Sequence, residues 1–473
     1  MEKRHLPLLA ITELASLIEK KEVSPVEVVE AYLERIDRLN ARLHAYLTVC
    51  REAALRAARE AEQAIVRGQY HGPLHGMPFA VKDQLSTRGL RTTAGSPIFA
   101  ERVIDEDATV VARLQQAGAI LLGKLSMTEF GTTSFSHQFD TPRNPWDLER
   151  YTGGSSSGSG AATAACLCAT ALGEDTGGSI RFPATWCGLV GLRPSWGRVS
   201  RYGLISGVWS MDTLGPLSRS VTDCAITLEA IAGHDPKDSY TWNVPVPHYA
   251  RALDGNIRGV RVGVVKEQLH TDLVEPEVQE AVLRAVEVLR GMGAIVQEVS
   301  LPLSTDAWTI SSGLRVEAPM RYYKLLRSRL RDIGHDNRIG YLTGMLLPAP
   351  AYYKAQQLRS LLRQQVLQVL EQVDVLVQPT AGKVAQKVEP DAVVDSKEKA
   401  GRLSWLLTTT YSLANVPALS LPCGFATTPS GTELPIGLQI AARPFHETLV
   451  LQVAHAYEQQ TSWHRKRPPL VEE

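Results

Sequence analysis

The chain has 473 residues, with Lys plus Arg equal to Asp plus Glu at 50 each, so no net charge draws it to nucleic acid, a membrane surface or a polyanionic substrate. Apolar residues make up 44% and charged residues 21%, the balance of a folded globular protein. Its six cysteines (Cys50, Cys166, Cys168, Cys187, Cys224 and Cys423) form no CxxC pair and no Cys/His group at zinc spacing, which argues for buried thiols and against a metal centre.

The N-terminal stretch lacks a secretory apolar core, and no run reaches the roughly 18 apolar residues of a membrane span. A cytoplasmic protein without membrane contact is expected. Ser24-Pro25-Val26-Glu27 supplies an N-cap hydroxyl, a proline at the first helical position and a glutamate at the third, so a helix starts there. A second polar helix ends near Gly68, and residues 8–68 together read as a helical wrapping. Phe79-Ala80-Val81 then reads as a strand ending at Lys82, followed by a helix at 108–117 and a strand at 119–122, the alternation of parallel βαβ units.

The stretch from Gly153 to Ala184 differs in texture. A serine cluster is followed by a charge-free run of small residues from Ala161 to Leu172, read as a buried helix, and a second serine stands in Gly177-Gly178-Ser179. Further on, residues 191–216 read as a glycine-rich loop region and 221–232 as a helix. The segments 260–265, 275–292 and 294–299 give another strand, helix and strand; 304–372 is helical, with one long helix at 352–373. The order closes with a strand at 374–377, a polar loop at 382–399, paired strands at 417–423 and 436–441, and a helix at 447–460.

Several motifs fail on context. Gly154 to Gly158 satisfies GxSxG, but the polar segment before it, 142–153, does not read as the strand a nucleophile elbow requires. Gly118 to Leu125 approaches a phosphate loop with an apolar interior and no hydroxyl after Lys124. Ser396 to Lys399 fits SxxK inside a solvated charge run. What remains is Ser155, Ser179 and a lysine. Asp175-Thr176-Gly177-Gly178-Ser179 offers successive backbone N–H groups on a glycine turn, suited to a developing oxyanion, with a serine placed to attack the carbonyl bound there. Lys82 after an apolar run is either a desolvated base or a surface lysine before a turn.

With GGSSSGSG, DTGGSIRFPA, GPLHGMPFAVKD, the segment Cys187 to Pro194 and LPIGLQIAARPFHE, the sequence resembles the amidase signature family over roughly residues 10 to 470. The resemblance implies one large α/β/α domain over 1–473, built on a mixed twisted sheet of about 11 strands. It also implies a Ser–cis-Ser–Lys triad of Ser179 as nucleophile, Ser155 as bridging serine and Lys82 as general base. The N–H groups from Thr176 through Ser179 would form the oxyanion hole, and no cofactor or metal is implied. One departure stands out: Ser157 occupies a place where the family commonly has glycine. Asp175 and Arg181 are read as a buried supporting pair.

For the substrate, residues 304–372 are expected to roof a pocket beside Met127 to Gly131, with Met127, Gly131, Gly154, Tyr322 and Met345 as contacts. That apolar wall points to a stand-alone hydrolase of a small uncharged aryl or alkyl amide, ester or carbamate, acting on a small molecule without nucleic acid and leaving a homodimer open. The alternative, from the similarity of the 198–203 and 230–239 segments, is a glutaminase-type subunit of a tRNA-dependent amidotransferase that supplies ammonia to a partner. A YGxR-like glutamine-holding segment is not found between 305 and 365.

Overall fold

The computed structural model describes residues 2–388 and 405–471. Short apolar runs separated by helices become strands β1 (Tyr46–Val49), β2 (Pro78–Lys82), β3 (Ile120–Leu125), β6 (Thr170–Asp175), β7 (Val190–Arg193) and β8 (Thr213–Ser218). They continue with β9 (Arg261–Val265), β10 (Ile295–Val299), β11 (Val375–Pro379), β12 (Ala418–Thr427) and β13 (Glu433–Ala442). These eleven join in the order β1-β3-β2-β6-β8-β7-β12-β13-β11-β9-β10, while β4 (Arg143–Asn144) and β5 (Asp147–Tyr151) form a separate two-stranded ribbon. The sheet is mixed: β2 runs parallel to both β3 and β6, and β6 runs antiparallel to β8. The expected α/β class with its large mixed sheet is what the chain adopts.

The N-terminal helices α1 (Ile11–Glu19), α2 (Pro25–Leu43) and α3 (Arg51–Val66) follow their sequence signals, and α4 (Thr109–Gln116) links β2 to β3 as the βαβ alternation requires. Ser24 Oγ accepts from the Glu27 amide at 3.1 Å while Glu27 Oε2 accepts from the Ser24 amide at 2.8 Å, so the two unsatisfied donors at the start of α2 are capped reciprocally. Val28, Val29, Tyr32, Leu33 and Ile36 then face the main apolar core. The helices Val221–Ile231, Pro276–Gly291, Ala349–Gln372 and Glu447–Gln460 also lie where periodicity places them.

Three expectations change. The small-residue run is not one helix: α5 (Ser157–Ala164) ends early and the rest becomes β6 at the centre of the sheet. Period and composition cannot separate a fully buried helix from a fully buried strand. The region 191–216 read as loop is bounded by β7 and β8, two further central strands, because strands buried on both faces need no alternation. The segment before the serine cluster carries the β4–β5 ribbon, and β5 ends at Tyr151, so a strand does precede Ser156. The polar loop expected at 382–399 lies outside the described residues from 389 on, as does all of Ser396 to Lys399.

Candidate active site

The path from the serine cluster to the second serine is a helix out and a strand back. α5 starts just after Ser155, β6 returns alongside it, and the turn after β6 delivers Ser179. The serine hydroxyls stitch the two legs: Ser156 Oγ donates to the Glu174 carbonyl at 3.2 Å and Ser159 Oγ to the Leu172 carbonyl at 3.1 Å. Ser156 is thereby committed to the backbone and is not an exposed nucleophile, even though a strand precedes it. Small residues are required because backbone passes close by. A Cβ at Gly158 would lie 2.4 Å from the Ala45 carbonyl oxygen and 2.5 Å from the Ser126 nitrogen. Ser157, the departure from the family pattern, starts α5 and donates to the Gly153 carbonyl at 2.7 Å.

The Gly154–Ser155 peptide bond is cis. Lys82, the last residue of β2, is completely buried, which decides against a surface lysine. Its Nζ lies 2.7 Å from Ser155 Oγ, 3.3 Å from the Glu174 carbonyl oxygen and 3.0 Å from Glu174 Oε2. Burial lowers its pKa from the ordinary 10.5, and the Glu174 carboxylate works against that shift. The Ser156 amide donates to the Ser179 carbonyl at 3.3 Å, tying the backbone next to Ser155 directly to Ser179.

The turn that carries Ser179 is held by Asp175. Its Oδ1 accepts from the Gly178 amide at 2.8 Å and its Oδ2 from the Ile180 amide at 3.2 Å. Arg181 binds it with Nε and Nη2, both at 3.0 Å, and Arg193 adds a contact at 3.2 Å. All three side chains are fully buried. Burial alone would raise the Asp175 carboxyl, but the two guanidiniums outweigh it and hold the group well below the usual carboxylate range. Arg193 is lowered to about 10 by burial against the attraction of Asp175. The Gly178 amide is thus already engaged, so the fourfold donor set expected from Thr176 to Ser179 narrows. Among the described residues no protein acceptor takes the amides of Gly177 or Ser179.

Of the expected substrate contacts, Gly131 and Gly154 are at the site: a Cβ at Gly131 would lie 3.6 Å from Ser155 Oγ, and Gly154 precedes Ser155. Met127 is buried one residue from Thr128, whose amide donates to the Ser155 carbonyl at 3.2 Å. Tyr322 stacks on Phe130 and donates to the Ser206 carbonyl at 2.7 Å. Met345 packs at the edge of the second apolar cluster, and no hydrogen bond or ring contact among the described residues links it to either serine. A cavity of about 330 Å³ is lined by Trp196, Trp209, Ser210, Arg359, Arg363 and Asn415 among others, and by none of these five residues.

Sequence reasoning passed over Glu174, Gln84 and Asp212. Glu174 Oε2 accepts from Gln84 Nε2 at 3.1 Å as well as from Lys82, and Thr176 Oγ1 lies 2.7 Å from both Glu174 Oε1 and Asp212 Oδ1. The available signal was the charge of Glu174 at the end of an otherwise uncharged run. Burial, reinforced by the charge of Glu174, pushes Asp212 up to about 7. Among the described residues no group of His, Cys, Asp and Glu is arranged to hold a metal ion, and no helix is long and apolar enough to cross a membrane.

A family profile described as Amidase matches residues 27–451. A glutamyl-tRNA(Gln) amidotransferase subunit from Moorella thermoacetica is 42% identical, over 98% of this chain and 98% of its own. Among solved structures, the corresponding subunit from Thermotoga maritima is 31% identical with a TM-score of 0.79, covering 96% of this chain and 95% of its own. The native peptide amidase of Stenotrophomonas maltophilia is 32% identical with a TM-score of 0.83, covering 97% and 98%. The expectation of a small-molecule hydrolase with no connection to nucleic acid is overturned by the first two, which are named as subunits of an enzyme acting on a tRNA. Balanced net charge could not reveal this, because it is silent on a partner protein that carries the RNA contact.

Proposed function

The chain belongs to the amidase signature family and is an enzyme of amide C–N bonds, and from that premise we propose that it is the glutaminase-type component that releases ammonia for a partner in a tRNA-dependent amidotransferase. The relatives named above support this choice of partner and substrate. The observation that carries the chemistry is Lys82 Nζ at 2.7 Å from Ser155 Oγ inside a solvent-free site.

In this reading neutral Lys82 takes the proton of Ser155, and Ser155 takes that of Ser179 as Ser179 Oγ attacks the side-chain amide carbon of glutamine. The amides of Gly177 and Ser179 stabilise the tetrahedral oxyanion, each contributing a few kcal/mol. As the C–N bond breaks, Ser155 returns a proton to the leaving nitrogen and ammonia departs. Water, activated through the same pair, then hydrolyses the glutamyl ester on Ser179. Asp175 and Arg181 keep the turn in register, while the helices of 304–372, with Tyr322 packed on Phe130, form the roof.

The likeness to a peptide amidase favours a second reading, cleavage of an amide other than glutamine by this chain alone. Both are tested by measuring ammonia release from glutamine and from simple aryl and alkyl amides, with and without glutamyl-tRNA(Gln) and the remaining amidotransferase components. Glutamine turnover that rises with the partner and tRNA supports the first reading; turnover of simple amides alone, with glutamine inert, overturns it.

A further inference from the structure

We propose that Glu174 is a positioning residue for Lys82: its carboxylate holds the lysine nitrogen against Ser155 Oγ and supplies a full negative charge to an amine that has lost its water. The inference rests on the reading of Lys82 as the base that acts on Ser179 through Ser155.

The geometry is specific. Glu174 sits one residue before Asp175, at the end of β6, and β6 is hydrogen-bonded directly to β2, which ends in Lys82. Lys82 Nζ has three partners: Ser155 Oγ at 2.7 Å, Glu174 Oε2 at 3.0 Å and the Glu174 carbonyl at 3.3 Å. Two of the three belong to one residue. The carboxylate is itself fixed by Gln84 Nε2 at 3.1 Å and Thr176 Oγ1 at 2.7 Å, so it cannot swing away from the amine without breaking both.

A proton count decides which carboxyl faces Lys82 as an anion. Thr176 Oγ1 is 2.7 Å from an oxygen of Glu174 and 2.7 Å from an oxygen of Asp212, yet a hydroxyl has one proton to give. If it donates to one carboxylate, the other must bring its own proton and donate to the hydroxyl oxygen. Glu174 has the Lys82 nitrogen against it, whereas Arg201, the cation whose field reaches Asp212, is paired instead with Asp238 at 3.9 Å. Asp212 is therefore the acid that keeps the proton, and Glu174 the ionised one. The remaining charged or titratable groups around this chain of contacts are Asp175 on β6, Arg193 on β7, Arg201, and Tyr322 from the helical roof, and Asp175 is neutralised by Arg181 and Arg193.

The physical need is clear. A lysine nitrogen in a dry site loses basicity, and a base much weaker than the operating pH transfers protons inefficiently in the transition state. A carboxylate at hydrogen-bond distance restores basicity without admitting water. Glu174 thus sets the pH at which Lys82 becomes neutral and how strongly it then pulls the proton.

The test avoids any dependence on the natural substrate. An alkyl fluorophosphonate phosphonylates an activated serine with loss of fluoride, and labelling of Ser179 followed by mass spectrometry across pH reports the base directly. In the wild-type chain the rate rises with pH through one acid limb. In Glu174→Gln, which keeps the shape and an acceptor oxygen but not the charge, the limb moves down by at least one pH unit and the plateau falls about tenfold or more. Asp212→Asn imitates the protonated acid, keeps the donor to Thr176 and moves the limb less than Glu174→Gln does; Glu174→Asp restores part of the wild-type limb. A limb that stays in place in a folded Glu174→Gln protein overturns the proposal while leaving Lys82 as the base. If Glu174→Gln fails to fold, an Asp212→Asn limb displaced by a unit or more overturns the proton assignment and the proposal with it. No labelling of Ser179 in the wild type overturns both this inference and the triad it rests on.

Discussion

Replacing Asp175 with asparagine should be the most damaging isosteric change in the chain. The carboxylate takes five contacts of 3.2 Å or less, from the Gly178 and Ile180 amides, twice from Arg181 and once from Arg193. Asparagine removes the charge between two guanidiniums that are completely buried, and it turns an NH2 towards groups that are all donors. Breaking a buried ion pair by removing one partner costs about 3–5 kcal/mol, against a total stability of about 5–15 kcal/mol for a folded protein. Loss of a third or more of the folding free energy is therefore expected, read as a fall in the urea midpoint followed by tryptophan fluorescence. Trp186, Trp405 and Phe182 form a stacked cluster just beyond the same turn and provide the signal. Because the native carboxyl is held below the unfolded value of 3.8, its contribution is fully present above that pH. It is lost as pH falls through the native value, so wild type and variant should converge in acid. A destabilisation below about 1 kcal/mol at neutral pH would refute the claim that this triad anchors the Ser179 turn.

Lys82→Met should lower labelling of Ser179 by the fluorophosphonate about 10²–10⁴-fold at neutral pH, measured by mass spectrometry of the modified serine. Since burial depresses Lys82 below 10.5, the wild-type rate should rise with pH and level off before that value; a limb centred above it would contradict the burial argument. Gly178→Ala places a Cβ 2.1 Å from Thr408 Oγ1 at a φ of +134°, so activity should be lost and stability reduced by about 1–3 kcal/mol, checked by turnover and thermal melting. All six cysteines are buried and unpaired, and burial pushes Cys50 up to about 11 and Cys168 to about 12, so none should react with an aromatic disulfide until the chain is unfolded in guanidinium.

Local chemistry settled much of this protein before folding. Ser24-Pro25-Glu27 can cap only a helix, and the βαβ alternation around Phe79 and Ile120 leads to parallel strands. The residue pattern around Ser155, Ser179 and Lys82 marked the reaction type and the three residues that now lie together. Tertiary structure decided the rest. Whether 165–175 would be helix or strand depended on its place at the centre of the sheet, because a segment buried on all sides has no amphipathic period to reveal its geometry. Glu174 could not be paired with Lys82 from sequence, since 92 positions separate them and only the β2–β6 pairing brings them to 3.0 Å. The Gly178 amide looked free for an oxyanion until the Asp175 side chain folded back onto it. Hydrogen bonds to a side chain three residues away leave no trace in composition or spacing; they exist only once two arginines, from α6 (Arg181–Cys187) and β7, fix where that carboxylate points.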